Sequence, residues 1–386
     1  LSVFIAGLLQ VTNVFGGIFT KLPFVFSNVL GGNIIGSFND FAILSGLSII
    51  LSLVAVELLS LTKKWNIFFI LNIILNLFIL LLIKYQAAWF VLSVFSLILL
   101  VYKFSYNKKP SSLITIGKVP IFSLVIFIFS LLCSLGIGNF VTNYFNVNNV
   151  DVRPSVEPTF NITKETLKES PIVGVGPNRF INSWVKFKDS SVNNTLFWNS
   201  DFNFGFGDIP TFAVTTGLLG ILAWLLFIFF LVRLFFKAFI SSAKNDFQNT
   251  IILGILISSI YLWFFSVIYT ASIVVFSLAF VFTGALVGLL MFTKTIKSSS
   301  LIFIKDPRLS FFSILGIICL MFLVGYVGYN FFKKSMSVAY LQKATNVMRK
   351  NQDFDTASDY LLKAISFQKS DLYYKVLTEV YMSKVN

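Results

Sequence analysis

"TTGLLGILAWLLFIFFLV", residues 215–232, decides the fold. It carries no charge and only two hydroxyl side chains, and it is long enough to cross a hydrocarbon layer that needs about 20 apolar residues as a helix. Working outward from it, comparable runs recur along the chain. We read nine spans, at roughly 1–17, 40–61, 66–83, 87–104, 119–138, 211–232, 250–269, 272–292 and 310–331. The bulk composition agrees. Only 12% of the 386 residues are charged, 56% are hydrophobic, 47 are Phe, and the mean hydropathy is +0.85. A soluble domain carries about 25% charge. The sequence therefore predicts an all-α polytopic membrane protein, because in lipid only helices or closed barrels satisfy their own backbone. The chain starts with Leu1 and shows no signal-peptide pattern, so further spans are expected upstream of it.

The net charge of +14 would suggest nucleic acid in a soluble protein. Here its distribution points to topology. The loops at 62–65, 103–118, 233–249 and 293–309 hold Lys63, Lys64, Lys103, Lys108, Lys109, Lys118, Arg233, Lys237, Lys244, Lys294, Lys297, Lys305 and Arg308. The short connections on the other side hold only Lys21 and Lys84. Cytoplasmic loops carry the excess of Lys and Arg, so the first set is expected inside. No nucleic-acid partner is implied.

Four segments follow from this reading. Residues 1–138 hold spans one to five and 211–331 hold spans six to nine. Residues 139–210 form an extracytoplasmic loop, and 332–386 an extracytoplasmic tail. The loop carries six cations (Arg153, Lys164, Lys168, Arg179, Lys186, Lys188) and seven acids (Asp151, Glu157, Glu165, Glu169, Asp189, Asp201, Asp208). Its aromatics, among them Phe160, Phe180, Trp184 and Trp198, argue for a folded cap rather than disorder. "FNITKETLKES" reads as a short helix stopping before Pro171. The tail repeats an i, i+4, i+7, i+8 apolar stripe three times: Tyr340-Ala344-Val347-Met348, Ala357-Leu361-Ala364-Ile365 and Tyr373-Leu377-Val380-Tyr381. Asp353 and Ser370 or Asp371 are N-cap candidates. Three short amphipathic helices in series look like a degenerate tetratricopeptide repeat, a surface for a protein partner; a plain helical hairpin is the alternative.

Chemistry-bearing residues are few. The chain has no histidine, hence neither the usual general base nor the commonest metal ligand. Cys133 and Cys319 lie in apolar runs and are expected as free thiols. No Cys/His cluster exists, so no metal site is expected. Glu57, near the end of span two, is expected to snorkel or to pair with Lys63 or Lys64. "PIVGVGPNRF", residues 171–180, resembles a nucleotide loop. The third glycine of a dinucleotide fingerprint would fall at Arg179, however, and a Walker loop's Gly-Lys-Ser/Thr is absent. What survives is a tight turn at Gly174 and Gly176 whose amides could face a phosphate, with Arg179 as a bidentate donor. An ordinary turn is the alternative. Arg153, Lys186, Lys84 and Gln86 could join it at one membrane level, where a lipid-linked diphosphate would present itself.

Four segments together resemble the O-antigen ligase and polymerase superfamily of bacterial envelope proteins, over roughly residues 30–290. "IIGSFNDFAILSGLSII" is similar to the family's Gly-x-Phe-x-Asn-x-x-x-Leu-Ala segment, with Gly36 and Phe38 matching and Asn39 one position early. "KYQAAWFVLSVFSLILL" stands where the family has Ser-Arg-Gly-Ala. "VRPSVEPTFNITKETLKESPIVGVGPNRF" resembles its arginine, helix and Pro-hydrophobic-Gly-x-Gly segment through Arg153, Pro171, Gly174, Gly176 and Phe180. The opening stretch resembles its post-loop span through Gly217 and Gly220.

The resemblance implies a GT-C-like helical bundle in the cytoplasmic membrane. It implies transfer of an oligosaccharide from a polyprenyl-diphosphate carrier to a lipid, protein or glycan acceptor at the outer face, without metal or cofactor. Arginines hold the diphosphate in such enzymes, and a histidine before the post-loop span acts as base. That histidine would fall near Phe206 and Gly207, where none stands, and the arginine of the Ser-Arg segment is also missing. Asp201 and Asp208 flank the gap. Either could accept a proton from a hydroxyl acceptor once burial disfavours its charged form. Two other readings stay open: a catalytically idle relative that binds lipid-linked glycan or envelope proteins, and a lipid or glycan flippase or transporter.

Overall fold

The computed structural model describes residues 37–83, 85–106, 120–137, 153–194, 200–240, 246–297, 307–351 and 353–385. Among these it is all-helical, with 12 α-helices and no sheet, and 7 of the helices are long and apolar enough to cross a membrane. The chain is a multi-pass membrane protein. The helices are α1 (Phe38–Leu58), α2 (Lys63–Leu82), α3 (Gln86–Tyr106), α4 (Ile121–Leu132), α5 (Val156–Glu169), α6 (Phe180–Phe187), α7 (Asp208–Ile240), α8 (Asp246–Ile268), α9 (Ile273–Phe292), α10 (Pro307–Asn351), α11 (Phe354–Phe367) and α12 (Asp371–Val385). The expected span at 1–17 lies outside the described residues.

Two compact units divide the chain; the described residues 37–297 fall in one and 307–385 in the other. In the first, α1 is the central element. It is apolar all round and buried along most of its length, from Asn39 to Ala55, as a helix enclosed by other helices must be. It packs against α2, α3, α8 and α9. Lipid tails offer no hydrophobic drive for helices to associate, so small residues and hydrogen bonds hold such bundles. Gly46 lets Tyr261 lie against α1, where its hydroxyl donates to the Ile43 carbonyl at 3.0 Å. Asn72 donates to Ser48 (2.8 Å) and Ser52 (2.9 Å), joining α1 to α2. Thr283 meets Ser259 and the Trp263 indole N–H, each at 2.9 Å, joining α8 to α9.

Four sequence expectations change. Glu57 does not pair with Lys63 or Lys64: its carboxylate accepts the Ser123 amide (2.8 Å) and hydroxyl (2.5 Å), capping α4 from a neighbouring helix. The fifth span is short, an apolar helix over Ile121–Gly136 whose last turn widens and ends on Gly136 at φ 108°. The sixth begins earlier than read, at Asp208, and is broken at Gly217 (φ 63°, ψ −159°). Finally, no break marks the expected boundary at 331/332, because α10 runs from Pro307 to Asn351 as one helix.

In the second unit, the end of α10 packs on α11, and α11 on α12. Ala344, Ala357, Leu361, Leu377 and Val380 form the core, as their spacing predicted. Asp353 is the N-cap of α11, accepting the Thr356 amide.

Candidate functional site

The site is built where several helices of the first unit begin or end. Ser37 and Asp40 form a capping box at the start of α1: the Asp40 amide donates to Ser37 Oγ (3.0 Å), and Asp40 Oδ2 accepts the Ser37 amide (2.9 Å) and hydroxyl (2.6 Å). The other oxygen, Oδ1, accepts the Ser272 amide at 3.0 Å. Ser272 is the N-cap of α9. Asp208, the first residue of α7, is also buried and lies beside the adjacent amide of Ala271. Two carboxylates from different helices therefore meet at the start of a third, where unpaired amides and the helix dipole favour negative charge. Asp208 Oδ2 is buried with no hydrogen-bond partner.

Arg153 lies on the same side. Its guanidinium stands over the Phe206 ring (4.9 Å to the centroid) and the Tyr269 ring (5.2 Å). The Tyr269 hydroxyl is 3.1 Å from Ser37 Oγ. Arg153 thus connects through Tyr269 and Ser37 to Asp40. Phe206, where the resemblance expected histidine, is an aromatic platform for the arginine. Its turn is pinned from three directions: the Phe206 amide donates to Thr159 Oγ1 (3.0 Å), the Gly205 amide to Thr211 Oγ1 (2.9 Å), and Thr270 Oγ1 donates to the Gly205 carbonyl (3.0 Å).

The glycine turn does something other than the sequence suggested. The Gly174 amide donates to Ser170 O (3.1 Å), Val175 to Val214 O (3.0 Å) and Gly176 to Thr215 O (3.0 Å). In return Leu218 and Leu219 donate to Pro171 O (2.8 Å) and Ile172 O (3.1 Å). These partners flank the break in α7 at Gly217. A Cβ on Gly174 would lie 2.4 Å from Val214 O, and one on Gly217 2.5 Å from Ile172 O. The Gly174 amide closes its own turn on Ser170, and the Val175 and Gly176 amides satisfy carbonyls freed by the broken helix. Only glycine allows the two backbones to approach so closely, and both glycines take positive φ.

The other expected site residues are scattered. Arg179, Asp201 and Gln86 are exposed. Lys186 is exposed and paired with Glu169 at 2.6 Å. Lys84 lies outside the described residues. Of the expected set, the structure brings Arg153 and Asp208 to the same ring of residues, and adds Ser37, Asp40 and Tyr269. The capping box "SFND", residues 37–40, was legible in the sequence; that its acid also reaches α9 was not. Among the described residues no group of three or more His, Cys, Asp or Glu could hold a metal ion.

Asp208 also stands at one end of an apolar cavity of about 250 Å³ between α7, α8 and α9. Trp224 is on its wall, stacked on Phe212 (5.1 Å) and edge-on to Phe276 (5.9 Å) and Trp263 (6.2 Å). Compared with known proteins, the chain matches no family model and no curated protein.

Proposed function

We propose that the protein transfers an oligosaccharide from a polyprenyl-diphosphate carrier to an acceptor hydroxyl at the outer face of the cytoplasmic membrane. The tail would serve as a tetratricopeptide-like platform for a protein partner. The observation that carries the reading is the buried, unpartnered Oδ2 of Asp208, on the same ring of residues as Arg153. Arg153 offers a planar, permanently charged donor set for the diphosphate. Asp208 offers the base that the missing histidine would have supplied. In the step, the acceptor oxygen attacks C1 of the first sugar and its proton passes to Asp208. The C1–O bond to the carrier breaks, and the diphosphate leaves with the bonding electrons. The two helix starts that hold Asp40 and Asp208 keep the base in place, which is what general-base catalysis requires.

The test is reconstitution in liposomes with a lipid-linked oligosaccharide. Release of carrier diphosphate together with a new glycoconjugate is expected, and Asp208→Asn should lower the rate by about 100- to 10,000-fold without loss of folded protein. Binding without turnover would identify an idle relative. Lipid movement between leaflets without bond cleavage would identify a flippase. Full activity in Asp208→Asn would remove the assigned base.

A further inference from the structure

We propose that the cavity between α7, α8 and α9 holds the alkyl chain of an acceptor lipid whose head carries a free hydroxyl, with that hydroxyl donating to Asp208 Oδ2. That this lipid is the acceptor rests on the transfer reading above; that it binds here does not.

The cavity excludes the glycan and the diphosphate of the donor. Its walls are Phe212, Trp224, Ile228, Trp263 and Phe276, so any sugar placed inside would bury hydroxyls without partners, at a cost of roughly 1–3 kcal/mol per group. Its volume of about 250 Å³ is below the ~300–1,000 Å³ of pockets that enclose whole ligands. A chain fits; an oligosaccharide does not. Besides Asp208 and the indole N–H groups of Trp224 and Trp263, the polar side chain on the wall is Ser266, whose hydroxyl donates to the Leu262 carbonyl at 3.2 Å.

The head group follows from charge. The buried carboxylate lies beside the Ala271 amide and keeps one oxygen, Oδ2, without a hydrogen-bond partner, and Asp40 is its acidic neighbour. Two acids at one point repel a phosphate or carboxylate head and welcome a donor. The carrier diphosphate is therefore directed to Arg153, and the hydroxyl lipid to Asp208. A hydroxyl held at Oδ2 is also placed where its proton must go.

The test uses the full chain in nanodiscs with two photoactivatable probes of identical diazirine-bearing chain: a monoacylglycerol, with hydroxyl head, and a lysophosphatidate, with phosphate head. Crosslinks are mapped by mass spectrometry. The monoacylglycerol is expected to label the α7 and α8 walls about tenfold more than the lysophosphatidate, the scale of one hydrogen bond to a charged group. Ile228→Trp, which fills the cavity, should abolish that labelling. Asp208→Asn keeps an acceptor oxygen but not the charge, so it should let the two probes label alike. Equal labelling of the unmodified protein, or labelling that survives Ile228→Trp, would mean ordinary surrounding lipid and would overturn the proposal. Head-selective labelling without release of carrier diphosphate would sink the transfer reading and keep the site; release of diphosphate without head selectivity would do the reverse.

Discussion

Asp40 and Asp208, 168 positions apart in sequence, meet at the start of α9: Asp40 takes the amide of Ser272, and Asp208 lies beside the neighbouring amide of Ala271. The starts of α1, α7 and α9 are tied together at this point. One carboxylate is fully engaged there, and the other keeps an oxygen open. The first therefore serves structure, and the second is the proposed base.

Replacing Asp40 tests that division. Asp40→Ala removes the capping box and leaves the Ser272 amide without its acceptor, so it should cost about 1–3 kcal/mol of stability. Thermal unfolding in detergent should show a clearly lower midpoint. A midpoint equal to that of the unmodified protein would mean that the two helix starts are held by other contacts.

The glycine pair at the helix break should be intolerant. Gly174→Ala and Gly217→Ala each place a Cβ within 2.4 to 2.5 Å of a backbone oxygen at positive φ. Strain of about 1–3 kcal/mol at the backbone alone, plus the clash, should cut the yield of monodisperse protein sharply in size-exclusion chromatography. Gly284→Ala and Gly288→Ala meet nothing within 4 Å and should be neutral or slightly stabilising. Comparable losses at all four positions would contradict the close-approach account.

Glu57 should behave as a cap, not as an intramembrane acid in search of a cation. Glu57→Gln keeps an oxygen for the Ser123 amide and should be mild. Glu57→Ala leaves that amide and hydroxyl without their acceptor and should cost about 1–3 kcal/mol. Equal unfolding midpoints for the two variants would remove the capping role.

In the tail, acid should loosen α11 from its first turn. Hydrogen bonds from the Thr356 hydroxyl and then its amide hold the Asp353 carboxyl below the usual carboxylate range. A depressed folded value means that the contribution is complete above the unfolded value, about pH 4, and is lost as pH falls from there through the folded value. Protection factors of the α11 amides, taken relative to intrinsic exchange at each pH, should therefore fall below about pH 4. Asp353→Asn, still a good cap, should flatten that dependence.

Much of the architecture was legible because lipid imposes it. "TTGLLGILAWLLFIFFLV" has no polar alternative to a helix in a bilayer, and the stripe Ala357-Leu361-Ala364 faces a core at the spacing a helix demands. Asp353 declared itself as a cap because capping is a local matter, settled within three residues. The amphipathic helix of the loop, α5, ended before Pro171 for an equally local reason.

What tertiary structure alone decided lies between segments. Gly174 and Gly176 looked like a phosphate cradle, since a turn of free amides does attract anions; instead the Gly174 amide closes on Ser170, and the Val175 and Gly176 amides are taken by the Val214 and Thr215 carbonyls of the broken α7. Asp208 and Asp201 stood as equals in the sequence, seven positions apart. Burial separates them, because the first turns of α7, from Asp208 to Gly217, pack inward and Asp201 faces out. Period and composition determine which face of a helix is apolar. Which two helix starts share one point, and so which carboxylate keeps an oxygen open, depends on how the helices pack.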